Sequence, residues 1–77
     1  MPSVLDQTFR HTLLLNERHR RDIEHYCETE IGIRTYYLNR YRGGRHWRTS
    51  NSHLNTQQIE VCVDDDHHAI ILALQFS

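Results

Sequence analysis

The run Arg45-His46-Trp47-Arg48, with Tyr41 a few residues upstream, holds the residue types that cleave a phosphodiester without metal. Imidazole can move the proton and guanidinium can hold the phosphate charge, which is the chemistry of a metal-independent ribonuclease. The same set arises readily by chance in a chain with nine arginines and seven histidines. Catalysis therefore ranks below binding. A second group, Cys62, Asp64, Asp65, Asp66, His67 and His68, has metal-donor atoms. Donors on one tight turn mostly diverge, and no second cluster with zinc-like spacing completes the set, so a solvated polar turn with neither metal nor other cofactor is expected. Cys27 beside His25 fails as a nucleophile and base, because helix neighbours two apart point to different sides.

The stronger signal is adhesive. Between Ile31 and Ser50 the chain carries five arginines, three tyrosines and its one tryptophan, with no acidic residue. Arg34, Tyr36, Arg40, Arg42, Arg45, His46, Trp47 and Arg48 form the candidate binding set. Arg, Tyr and Trp dominate protein–protein hot spots, and an acidic protein surface suits them. The same types hold single-stranded RNA or DNA, arginine on phosphate and aromatic rings under bases. All nine basic residues are arginine, whose fork of donors suits fixed contacts better than a lysine point charge does. The expected function is a non-enzymatic binding protein of the regulator or inhibitor type on an acidic protein surface, with single-stranded nucleic acid binding, or a ribonuclease, as the alternative.

Charge is divided along the chain. Residues 1–30 sum to −2, residues 31–55 to +5 and residues 56–77 to −4. A basic patch and an acidic edge follow if the fold keeps these segments apart, an arrangement that also permits association with a second copy. At 77 residues the chain is a single small domain, near the size at which a core without staples suffices. A mean hydropathy of −0.73 leaves that core modest. Its longest uncharged apolar run, Ala69–Leu74, falls far short of the ~18 residues a membrane span needs. Asp6 interrupts any apolar leader, so Cys27 and Cys62 are expected as reduced thiols in a cytoplasmic protein.

Positioning the basic stretch requires an α+β fold. Asn16 is a good helix N-cap, Glu17 suits the positive end of the dipole, and Gly32 stops the helix. Ile23, Tyr26 and Cys27 form its narrow apolar side. Residues 3–15 are either a helix capped by Ser3, with Leu5, Phe9 and Leu13 in register, or a strand over Thr8–Leu15. From Ile31 the period becomes two, placing Tyr37 and Tyr41 with Ile31 and Ile33, and Gly43-Gly44 reads as a hairpin turn with Tyr41 opposite His46 and Arg40 opposite Trp47. A second hairpin is expected at Asp66-His67, with Val63 opposite Ile70, Val61 opposite Leu72 and Ile59 opposite Leu74. The expected architecture is one main helix on a small antiparallel sheet of two hairpins, with an additional N-terminal strand or short helix.

Overall fold

The computed structural model describes residues 8–38, 40–52 and 56–76. Asn16 marks the change from strand to helix, its side-chain oxygen accepting from the Arg18 backbone N–H at 2.9 Å. Before it, strand β1 (His11–Asn16) turns Leu13 and Leu15 inward and Thr12 and Leu14 outward. The strand alternative for this segment is thus the one found, while Ser3 and Leu5 lie outside the described residues. After Asn16 come a 3-10 turn (Glu17–His19), helix α1 (Arg20–Tyr26) and a π turn (Cys27–Ile31) that ends at Gly32. The Gly32 N–H reaches back to the Cys27 carbonyl at 3.0 Å, the wide bond of a single π turn. Ile23 and Cys27 are fully buried, as the apolar stripe requires.

Strand β2 (Tyr36–Leu38) reverses into β3 (Tyr41–Gly43), and these lead to β4 (Trp47–Asn51) and β5 (Gln58–Val63). The five strands form one antiparallel sheet in the order β1-β5-β4-β3-β2. The hairpin expected around Gly43-Gly44 is present in a different register: β3 and β4 pair antiparallel with Gly43 opposite Arg48, the reversal falls over Gly44–Trp47 where the Gly44 N–H donates to the Trp47 carbonyl at 3.0 Å, and a further reversal between Leu38 and Tyr41 also sets Gly43 opposite Tyr36. Tyr41 and His46 are therefore not partners, nor are Arg40 and Trp47. The glycines also answer a second need. A Cβ on Gly43 would lie 2.5 Å from the Trp47 carbonyl oxygen and 2.6 Å from the Tyr36 hydroxyl, and one on Gly44 would lie 2.4 Å from the Ile33 carbonyl oxygen and 2.9 Å from the Trp47 indole nitrogen. At both positions a backbone carbonyl and an aromatic side chain pass where a Cβ would stand.

The expected Asp66-His67 hairpin is also corrected, because Asp66–Phe76 is a second helix, α2. The Asp65 carboxylate accepts from the backbone N–H groups of His67 at 2.8 Å and His68 at 3.3 Å, satisfying donors that a helix start leaves open. Ala69, Leu72 and Phe76 fall on one helical face and are buried. Ile70 and Leu74, which a strand would have turned to the core with Leu72, are 58% and 79% exposed.

Both helices lie on the same face of the sheet. There Leu15, Trp47, Ile59, Val61 and Val63 meet Ile23 and Cys27 from the helix after β1, and Ala69, Leu72 and Phe76 from α2. The central pairings Leu13↔Val61 and Thr49↔Val61 put this face under the helices and turn Cys62, Ser50 and Arg48 to the other. Cys27 and Cys62 are free, buried thiols. Among the described residues no helix is long and apolar enough to cross a membrane.

The helical α2 separates two leucines that a strand would have made equivalent. Leu72→Ala should lower unfolding free energy by about 2–5 kcal/mol, whereas Leu74→Ala in dilute protein should change it by less than about 0.5 kcal/mol, both read from urea titrations.

Candidate functional site

Sheet register sorts the basic, aromatic stretch onto two faces. The row Tyr37↔Arg42↔Thr49 lies on the helix side, and the row Tyr36↔Gly43↔Arg48 lies on the other. On the helix side Glu24 is the organising group, buried at the end of α1's inner stripe. Its carboxylate accepts from Arg42 Nη1 at 3.0 Å and from the Thr49 hydroxyl at 3.4 Å, with Arg20 Nη1 at 3.8 Å. Arg42 then donates through Nη2 to the Tyr37 hydroxyl at 2.9 Å, its guanidinium 4.7 Å from the centre of that ring. Those bonds to Tyr37 and Glu24 push the Arg42 pKa up, so its charge is permanent. Glu28 forms an ion pair with Arg34.

Two open depressions border this network. One, of about 600 Å³, is lined by Glu17, Arg20, Tyr37, Arg40, Arg42 and Asn51, with Arg20 donating to the Asn51 side chain. The next, of about 440 Å³, adds Arg21, Glu24, His25, Glu28 and Arg34. Five arginines against three glutamates leave the region positive. At its outer end, β2 is the last strand of the sheet, and Ile33, Tyr37 and Leu38 stand 76%, 63% and 43% exposed.

On the opposite face Arg48 stacks between Phe9 and Tyr41, 5.2 and 5.3 Å from the two ring centres. Its Nε and Nη1 are buried without a hydrogen-bond acceptor, so the ring faces supply its electrostatic compensation. The Tyr36 hydroxyl, also buried without a partner, crosses Gly43. Burial pushes the Tyr36 phenol pKa up, with the Arg48 charge pulling the other way.

The candidate set therefore divides. Arg34, Arg40 and Arg42 stay together around the β2–β3 hairpin. Arg45 and His46 are exposed in the connection to β4, where His46 Nδ1 lies 3.4 Å from an Asp64 carboxylate oxygen. Tyr36 and Arg48 are half-buried packing on the other face. Trp47 is withdrawn from any contact surface: it is fully buried, and its indole N–H donates to the Gly32 carbonyl at 2.7 Å. Tyr37, assigned by alternation to the core side, and its neighbours Ile33 and Leu38 are the exposed groups that sequence missed. The helices stop short of β2, and only the strand order reveals that.

A smaller pocket of about 330 Å³ collects Ile31, His46, Val63, Asp64, Asp65 and His68. His68 Nδ1 meets the Tyr26 hydroxyl at 2.9 Å. Among the described residues no group of three or more His, Cys, Asp or Glu side chains is placed to hold a metal ion. Cys27 is a poor nucleophile, since burial, with Glu24 and Glu28 adding to it, pushes its thiol pKa up to about 12. No family model, curated protein or solved structure matches the chain.

Removing the shared carboxylate with Glu24→Ala leaves Arg42 and Arg20 facing each other and should cost about 3 kcal/mol in urea unfolding, whereas Arg34→Ala should cost at most about 1 kcal/mol. Cys27 should resist alkylation in the folded protein at neutral pH. Its folded pKa of about 12 stands above the ordinary value of 9.0, so the unfolded thiol ionises first. Its contribution to stability is complete below 9.0 and falls as pH rises from 9.0 towards 12, which alkaline urea titrations of the parent and Cys27→Ala would show as a difference in slope.

Proposed function

We propose that this protein is a non-enzymatic binding module, of the regulator or inhibitor type, that docks the β2–β3 end of its sheet on an acidic protein surface. The observation that carries the reading is the exposure of Ile33, Tyr37 and Leu38 among the guanidinium groups of Arg34, Arg40 and Arg42. Apolar anchors ringed by arginine have the composition of a protein-binding hot spot. Arg42 and Arg34 are held by Glu24 and Glu28, so little of their side-chain freedom is lost when a partner's carboxylates arrive. Loss of Trp47 to the core weakens the single-strand alternative, because the largest stacking platform is gone. Arg42 already covers one face of Tyr37.

The test compares two kinds of partner. The protein should show no saturable binding to RNA or single-stranded DNA of about 20 nucleotides, longer than one binding site. A protein captured from cell lysate, once identified and purified, should bind through an acidic surface, and Tyr37→Ala or Leu38→Ala should weaken its affinity roughly thirtyfold. Tight, steeply salt-dependent oligonucleotide binding would transfer the surface to nucleic acid, and cleavage of the RNA would overturn the non-enzymatic reading.

A further inference from the structure

One row of residues crosses the face of the sheet turned away from both helices. The pairings Tyr36↔Gly43, Gly43↔Arg48, Arg48↔Cys62 and Cys62↔Thr12 set them side by side. The row holds one positive charge and no carboxylate, and the Thr12 hydroxyl lies against the Cys62 sulfur at 3.7 Å. With no side chain on Gly43, the Tyr36 ring leans along the row towards Arg48, its hydroxyl 2.6 Å from where a Cβ on Gly43 would stand. That hydroxyl and the Arg48 Nε and Nη1 atoms are buried with no hydrogen-bond partner, so they do not bond one another either. Phe9 and Tyr41 balance the charge of the guanidinium through their ring faces, but a ring face has no lone pair for its N–H donors. An unbranched apolar side chain at position 48 would fill the space between the same rings without burying charged donors. What the row lacks is an acceptor.

We propose that this row is the binding site for a small organic carboxylate, which accepts from Arg48 and from the Tyr36 hydroxyl and lays its apolar body among the rings of Phe9, Tyr36 and Tyr41. Charge sets the class. A single guanidinium matches a monoanion, and Glu60, opposite Ser50 in the adjoining row of the same face, opposes the second negative charge of a phosphate. The surroundings set the body. Among aromatic rings a charge-assisted bond from Arg48 to a carboxylate is stronger than one to water, and the rings reward an apolar group beside it. Access runs past Phe9, which stands ahead of β1 and outside its ladder. Its ring can turn aside without breaking a strand hydrogen bond, and the body of the ligand takes its place against Arg48. The site shares no side chain with the Tyr37–Arg42–Glu24 network on the helix face, so it is independent of the docking surface.

Benzoate is the probe. Titrated into the isotope-labelled full chain, it should move the Arg48 Nε–H proton resonance downfield and saturate with a Kd of about 1 mM or tighter. Arg48→Met, which also assigns that resonance, should abolish the rise in thermal midpoint that benzoate gives the parent. Tyr36→Phe should keep the far-ultraviolet circular dichroism spectrum and weaken benzoate about tenfold, as loss of one hydrogen bond to a charged group requires. Chloride and phosphate at matched ionic strength should not saturate the signal. A resonance that benzoate leaves in place, or moves only in proportion to concentration as it does that of the exposed Arg45, overturns the proposal. Undiminished affinity in Tyr36→Phe overturns it as well. Saturation by chloride or phosphate as tight as by benzoate overturns the assignment to a carboxylate.

Discussion

The indole of Trp47 is the constraint around which the fold is arranged. Its ring fills the core over the central strand, and its N–H is satisfied by the carbonyl of Gly32, where the helical segment ends. A buried indole without that acceptor would carry a desolvated donor, so the loop after the π turn must come to this point. Gly44 then has to be bare because the Ile33 carbonyl and the indole nitrogen both pass where a Cβ would stand. The path of residues 32–35 over β4, and so the start of β2, follows from one hydrogen bond and one missing side chain. Thr35 continues it by donating its N–H to the Gly43 carbonyl at 2.8 Å.

Charge is organised by the same economy. A stretch that is wholly basic in sequence folds against the carboxylates of the helical segment, Glu24 taking Arg42 and Arg20, and Glu28 taking Arg34. Arg48 goes to the other face and is compensated by aromatic rings. The net field around the β2–β3 hairpin is therefore much weaker than the +5 of its segment, and what remains is geometrically fixed. Such a surface discriminates by fit more than by long-range attraction.

Much of this was legible from residue types. Asn16 and Gly32 bound the first helical segment because a capping side chain and a terminating glycine act locally, and Ile23 and Cys27 were readable as its buried side. The second helix was not. In Ile59–Val63 and Ala69–Phe76 apolar residues recur at every second position, but Ala69, Leu72 and Phe76 also satisfy a helical stripe, and the Asp65 cap decides between them. Gly43-Gly44 marked a hairpin without fixing its register: glycine permits both a turn and a close approach, and here the pair serves the approach while the reversal runs from Gly44 to Trp47. The exposure of Tyr37 and the burial of Trp47 depend on how far the helices reach across the sheet, a tertiary fact that no local pattern carries.

The strand order has a consequence for how the chain acquires its structure. Strands β2 to β5 follow one another as a meander, each pairing with its neighbour in sequence, whereas β1 must wait for β5, joining His11 to Val63 and Leu15 to Ile59. Closing a loop of that length costs entropy before any pairing rewards it, so the β1–β5 contact is the entropically most expensive pairing of the sheet. During synthesis the apolar run Leu13-Leu14-Leu15 emerges long before its partner strand exists. The helical segment that follows Asn16 can form in the meantime, since its bonds are local. Completion of the sheet is thereby tied to the arrival of the C-terminal third of the chain.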